Sequence, residues 1–232
     1  MRIKTIQIII AIGFSLMTFA QETKGSFVKE VKVKLSLNYI LQLPENQKEK
    51  FPLLVFLHGS GERGTDLELV KNHSPFTYQH LIPSPVAILA PQCPENVWWD
   101  TTALYQLILE ISEKYNIDKS RIYLTGLSMG GWGTWKLAEE HSELFAAIAP
   151  VCAPVDRMML INADKLKDMP LKIYHGALDD VVLPTDSIEM YQKLKGINKT
   201  AELILFPDDN HNSWDSTYSN PKFYEWLLAQ HK

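Results

Sequence analysis

Short, nearly continuous apolar runs recur along this chain at even intervals, and segments with helical periodicity separate several of them. The runs are FPLLVFLHG (51–59), VAILAPQ (86–92), RIYLTGLS (121–128), FAAIAPV (145–151), LKIYHG (171–176) and ELILFP (202–207). A strand that is apolar at successive positions must be covered on both faces, so these runs read as central parallel strands. Residues 31–43 alternate instead and predict one or two antiparallel edge strands. Between the runs, residues 101–115 place Leu104, Leu107, Ile108 and Ile111 on one helical face, and 130–140 is a second helix candidate. Pro184 can open a third helix, ending before Gly196, and Pro221 or Lys222 a fourth containing Phe223, Trp226 and Leu227. That order specifies an α/β fold, a mostly parallel central sheet with helices on both faces. With no repeat, low-complexity tract or evident linker, residues 21–232 read as one domain.

A chain of 232 residues with 46% apolar content can bury roughly 70% of its extended surface, so neither crosslinks nor a structural metal is needed to hold it. The first twenty residues stand apart from that core. Arg2 and Lys4 precede an apolar stretch from Ile8 to Ala20, with Thr18 and Ala20 as small residues before a cleavage point. Residues 1–20 therefore read as a secretory leader, with a stretch too short to span a bilayer as a stable helix. The expected location is secreted or periplasmic, without stable membrane insertion after cleavage. Its removal leaves 21 bases against 27 acids, a formal charge of −6 that gives no electrostatic reason to expect nucleic acid. Export permits a bond between Cys93 and Cys152, which follow two of the strand runs, without requiring it; separate buried thiols are the other reading.

The sharpest chemical signal is Gly126-Leu127-Ser128-Met129-Gly130, directly after a strand run and before a helical segment. G-x-S-x-G in that setting is a nucleophile elbow, in which small residues permit a tight strand-to-helix reversal that projects Ser128 above the sheet. A serine hydroxyl needs a base, and the base an acid to orient it. HGALDDVV after the 171–176 run supplies Asp179, with Asp180 as its competitor, and DDNHNSW after the 202–207 run supplies His211. Asp208, Asp209 and Asp215 read as residues that solvate or shape the His211 loop. His175 reads as a structural strand-end residue, His141 as a helix terminus and His231 as terminal surface. Main-chain donors for a developing oxyanion are expected at Met129, after the nucleophile, and at Ser60 in HGSGERG (58–64).

Taken together, HGSGERG, APQ, GLSMGG, HGALDDVVLP and HNSW resemble the secreted carboxylesterase and predicted-peptidase branch of the alpha/beta hydrolases, close to feruloyl-esterase-like and dienelactone-hydrolase-like proteins, over residues 51–228. The resemblance implies the alpha/beta-hydrolase fold, catalysis by Ser128, Asp179 and His211, an oxyanion hole from Ser60 and Met129, and no cofactor or catalytic metal. It also implies small-molecule or glycan-linked esters as substrates, including feruloyl or acetyl esters of plant polysaccharides. CAPVDRMML (152–160) departs from the glycine-rich turn of similar esterases, and its bulk is expected to narrow or redirect the acyl pocket. Trp98, Trp99 and Trp214 are candidates for stacking on a sugar or phenolic ring, or alternatively for closing the core; Trp132 and Trp135 read as packing residues. The same acyl-enzyme chemistry would serve a serine peptidase or amidase. A noncatalytic carbohydrate-binding protein on a hydrolase scaffold is the reading from a different class.

Overall fold

Alternation along the strands divides the interior into two cores. In the computed structural model, which describes residues 22–232, Leu53, Val55 and Leu57 of one strand face one hydrophobic cluster while Leu54 and Phe56 face the other. The neighbouring strand does the same, with Ile122 and Leu124 on one side and Tyr123 and Leu127 on the opposite side. Period-two alternation with apolar residues at both phases is what a sheet covered on both faces requires. The leader expected over residues 1–20 lies outside the described residues.

The strands are β1 (Asn38–Gln42), β2 (Phe51–Leu57), β3 (Ala87–Gln92), β4 (Ile117–Leu127), β5 (Ala147–Val151), β6 (Lys172–Gly176) and β7 (Glu202–Phe206). They form one sheet in the order β1-β3-β2-β4-β5-β6-β7, parallel throughout except for antiparallel β1. The α-helices are α1 (Thr101–Lys114), α2 (Met129–Glu140), α3 (Arg157–Asn162), α4 (Pro184–Lys195), α5 (Ser213–Tyr218) and α6 (Pro221–Leu228). Leu104, Ile108, Trp135 and Met190 pack in one cluster; Tyr218, Phe223 and Leu227 pack in the other. Helices therefore cover both faces of a mostly parallel sheet, as an alpha/beta-hydrolase fold demands.

Of the readings left open by the sequence, the structure selects one for the edge-strand segment and one for the cysteines, and it corrects the placement of 202–207 among the central strands. The alternating segment 31–43 yields one strand, only Asn38–Gln42, because its partner β3 runs out at Gln92, the residue opposite Asn38. Residues 22–34 contain no helix or strand. β7 is an edge strand with partly exposed positions rather than a central one. Cys93 and Cys152 are separate, buried thiols. They follow β3 and β5, which lie three strand spacings apart, or about 14 Å, beyond the 4.4–6.8 Å Cα separation of a disulfide.

Candidate active site

The sharp turn between β4 and α2 follows from two glycines. A Cβ on Gly126 would drive into the Gly130 carbonyl, and one on Gly130 into the Leu57 carbonyl, so the helix starts hard against the ends of β2 and β4. Between them Ser128 is held at φ 52 and ψ −117, a conformation that costs a non-glycine residue of order 1–3 kcal/mol. Its N–H donates to Val151 O at 3.0 Å and its carbonyl accepts from Trp132 N–H at 3.0 Å, which ties the turn to β5 and to the first turn of α2. The hydroxyl is thereby presented at the carboxyl edge of the sheet, where open α/β folds place their sites.

The loops after β6 and β7 supply the groups facing it. His211 Nε2 lies 3.0 Å from Ser128 Oγ, and His211 Nδ1 lies 2.8 Å from Asp179 Oδ2. The two neighbouring acids are separated by the turn after β6. Asp179 is buried, its Oδ1 accepting from Val181 N–H at 3.0 Å and Val182 N–H at 2.9 Å, whereas Asp180 is exposed. The structure brings Asp179, and not Asp180, to His211. An acceptor-only carboxylate at Nδ1 keeps the proton on that nitrogen and leaves Nε2 to accept from a hydroxyl. A serine, an imidazole and a carboxylate linked in this way are competent for proton transfer away from the hydroxyl.

Met129 is the first residue of α2 and Ser60 the first of a one-turn 3-10 helix (Ser60–Glu62), positions whose N–H groups have no acceptor within their own helices. The two turns are adjacent: a Cβ on Gly59 would sit 3.7 Å from Ser128 Cβ. Three side chains fix the Ser60 turn. Arg63 Nε donates to Ser60 O at 3.0 Å while its Nη1 reaches Val97 O at 3.3 Å, and Gln92 Nε2 donates to Glu62 O at 2.9 Å. His58 is the third, wholly buried, with Nδ1 2.6 Å from Gly59 O and Nε2 accepting from Cys93 N–H at 2.9 Å. Those partners fix the Nδ1–H tautomer, and burial lowers the pKa of His58 to about 4, so the ring is neutral over the ordinary pH range. Glu62 Oε2 is buried beside this turn without a hydrogen-bond partner, and burial raises its pKa.

The tryptophan candidates separate. Trp99 is 4% exposed, donates from Nε1 to His58 O at 3.3 Å and packs on the His58 ring, so it closes the core beneath the Ser60 turn and is not available for stacking. That corrects its assignment as a substrate-binding candidate. Trp98, its neighbour in sequence, is 53% exposed and meets Trp132 edge-on at 5.1 Å. Trp132, expected to be a packing residue, stands one helical turn after Ser128 and donates to Asp156 Oδ2 at 3.3 Å. Trp214 packs edge-to-face on His211, with centroids 5.4 Å apart, and also contacts His73. CAPVDRMML, expected to narrow or redirect the acyl pocket, runs into α3 from Arg157, with Asp156 as the N-cap and Met159 buried, while Met158 and, just past the segment, Ile161 are exposed.

His175, read from sequence as a structural strand-end residue, is buried at the end of β6, and its Nε2 lies 3.2 Å from Asp179 Oδ2. The four-residue spacing between the two was the available signal. Among the described residues no group of three or more His, Cys, Asp or Glu is arranged to hold a metal ion, and no helix is long and apolar enough to cross a membrane.

Comparison with known proteins fits this geometry. The model of the dienelactone hydrolase family matches residues 94–219, which include Ser128, Asp179 and His211. A bifunctional acetylxylan esterase/xylanase of Neocallimastix patriciarum is 34% identical over 101 residues, covering 43% of this chain and 13% of that protein. Lysophospholipase-like protein 1 of Mus musculus is 27% identical over 207 residues, covering 76% of this chain and 86% of that protein. Among solved structures, a thermostable esterase superimposes with a TM-score of 0.78 at 35% identity, over 84% of this chain and 60% of the other.

Proposed function

This chain belongs to the dienelactone hydrolase family, and from that premise we propose that it is a serine hydrolase of carboxylic esters working through an acyl-enzyme. The observation that carries the reading is the unbroken chain from Ser128 Oγ through His211 to the buried Asp179 carboxylate, at 3.0 and 2.8 Å. In this mechanism Ser128 Oγ attacks the ester carbonyl while His211 Nε2 takes its proton, and Asp179 holds the imidazole and stabilises the imidazolium. Negative charge moves to the carbonyl oxygen, where the Met129 and Ser60 N–H groups receive it; one such donor supplies about 3–4 kcal/mol of transition-state stabilisation. His211 then gives its proton to the departing alcohol, accepts one from water, and the resulting hydroxide equivalent releases the acid.

The substrates we assign to this chemistry are feruloyl or acetyl esters carried on plant polysaccharide. Similarity to the acetylxylan esterase/xylanase supports that class, as do the exposed Trp98 face and Trp214 beside His211, where a sugar or phenolic ring could stack. Export to the periplasm or medium, read from residues 1–20, would bring the enzyme to such polymers. A fluorophosphonate probe read by intact-protein mass spectrometry should give one adduct, mapping to Ser128. Folded protein that takes no adduct would sink the mechanism. Matched ester and peptide substrates decide between esterase and peptidase action, and peptide turnover without ester turnover would reverse the assignment.

A further inference from the structure

Two histidines approach Asp179 Oδ2: His211, hydrogen-bonded at 2.8 Å, and His175, whose Nε2 lies 3.2 Å away. We propose that His175 is a positioning residue, whose Nε2–H dipole, fixed by Val182 O and Ser187 Oγ and held 3.2 Å from the Asp179 carboxylate, sets how strongly that carboxylate acts on the proposed base. This inference rests on the ester-hydrolase reading above and adds to it a residue that never touches substrate.

The geometry specifies the tautomer. His175 Nε2 lies 2.9 Å from Val182 O and 3.2 Å from Asp179 Oδ2, and both neighbours are acceptors. The proton must therefore be on Nε2, leaving Nδ1 to accept from Ser187 Oγ–H at 2.7 Å. The ring is wholly buried at the end of β6, with Ser187 supplied by α4, so its orientation is fixed by three elements: β6, the loop after it, and α4. The charged and titratable groups acting on it are Asp179 on the following loop, His211 on the loop after β7 and Asp186 on α4. Burial lowers the pKa of His175, which keeps the ring neutral and its Nε2–H a neutral donor.

The consequence concerns Asp179 Oδ2. Oδ1 is occupied by the Val181 and Val182 N–H groups, while Oδ2 accepts from His211 Nδ1–H and has the positive end of the His175 Nε2–H dipole, which is donated to Val182 O, 3.2 Å away. Withdrawing the His175 donor concentrates negative charge toward His211. That favours the imidazolium, and the acidic limb of the kcat/KM profile should move to higher pH. The proton inventory of the reaction is unchanged, because His175 neither gains nor loses a proton in it.

The test pairs His175→Gln, whose side-chain N–H can replace Nε2–H, with His175→Leu, which has no donor. The Leu variant should leave KM little changed and should shift the acidic limb upward by about half a pH unit or more. The Gln variant should restore the wild-type limb. A His175→Leu profile that is scaled down but unshifted overturns the proposal, since a purely structural role reduces the active fraction without moving the limb. Imidazole 15N chemical shifts of the wild-type protein test it without a substitution: His175 should be the Nε2–H tautomer from neutral pH upward, and the Nδ1–H tautomer would overturn it. Labelling of wild-type Ser128 by the fluorophosphonate separates the two layers, because a labelled enzyme with an unshifted His175→Leu limb refutes this inference alone.

Discussion

The turn that carries Ser128 and the rim that surrounds it share one sheet edge but are built by opposite rules. At the turn, Gly126 and Gly130 leave no room for a Cβ, Ser128 is held in a left-handed conformation, and main-chain bonds tie it to β5. Around it, Trp98, Met158, Ile161, Leu178 and Val181 expose apolar side chains on the segments after β3, β5 and β6. The turn is determined by backbone contacts, and so its geometry leaves few sequences that satisfy it. The rim is determined by side chains with solvent on one side, which can change without disturbing the fold. Chemistry and selectivity are therefore separable in this molecule, and substitutions can show where the boundary lies.

The largest effect should come from Ser128→Ala. It removes the proposed nucleophile without adding volume, so kcat on a simple ester should fall about 10⁴-fold or more while thermal unfolding changes little. A residual rate within tenfold of wild type would refute the nucleophile assignment. Gly130→Ala probes the same turn through stability. Its Cβ would enter the Leu57 carbonyl, and a loss of more than about 4 kcal/mol, read as insoluble expression or a collapsed unfolding midpoint, is expected. Next in size is Trp99→Ala, which empties a buried ring site beneath the Ser60 turn and should cost about 3–5 kcal/mol.

A smaller effect is expected from acid acting on His58. Its folded pKa of about 4 lies below the ordinary 6.5, so between those values the unfolded chain takes up a proton that the native ring refuses. The His58 contribution is fully present above pH 6.5 and is lost as pH falls toward 4, amounting to roughly 3–4 kcal/mol at most. Urea midpoints should decline over that window, and His58→Gln should flatten the decline. An identical slope in the variant would mean that other groups carry it.

Local features were the ones legible in sequence. The elbow could be read because Gly126, Ser128 and Gly130 are close neighbours whose spacing encodes the turn itself, and the strands because their apolar runs are continuous. Choices between adjacent residues were not legible. Asp179 and Asp180 have the same chemistry, and only the inward turn made by the Val181 and Val182 N–H groups selects one of them. Trp98 and Trp99 pose the same problem, since a strand-end loop sends one outward and the other onto His58. α3 escaped because six residues with one buried methionine carry too little periodicity to register as a helix.

The rim gives the smallest change in stability and the sharpest test of separability. Trp98 is half exposed and touches Trp132 through one edge, so Trp98→Ala should alter unfolding free energy by no more than about 0.5–1 kcal/mol, in contrast to Trp99→Ala one position away. If its open face stacks on a substrate ring, kcat/KM for an aromatic acyl ester should drop several-fold, about 1 kcal/mol, while that for a short acetyl ester of the same alcohol should hold. Equal losses on both esters would place Trp98 among the groups that support the turn rather than the rim. A fall in stability as large as that of Trp99→Ala would erase the distinction, because exposed and buried rings would then be serving one continuous scaffold.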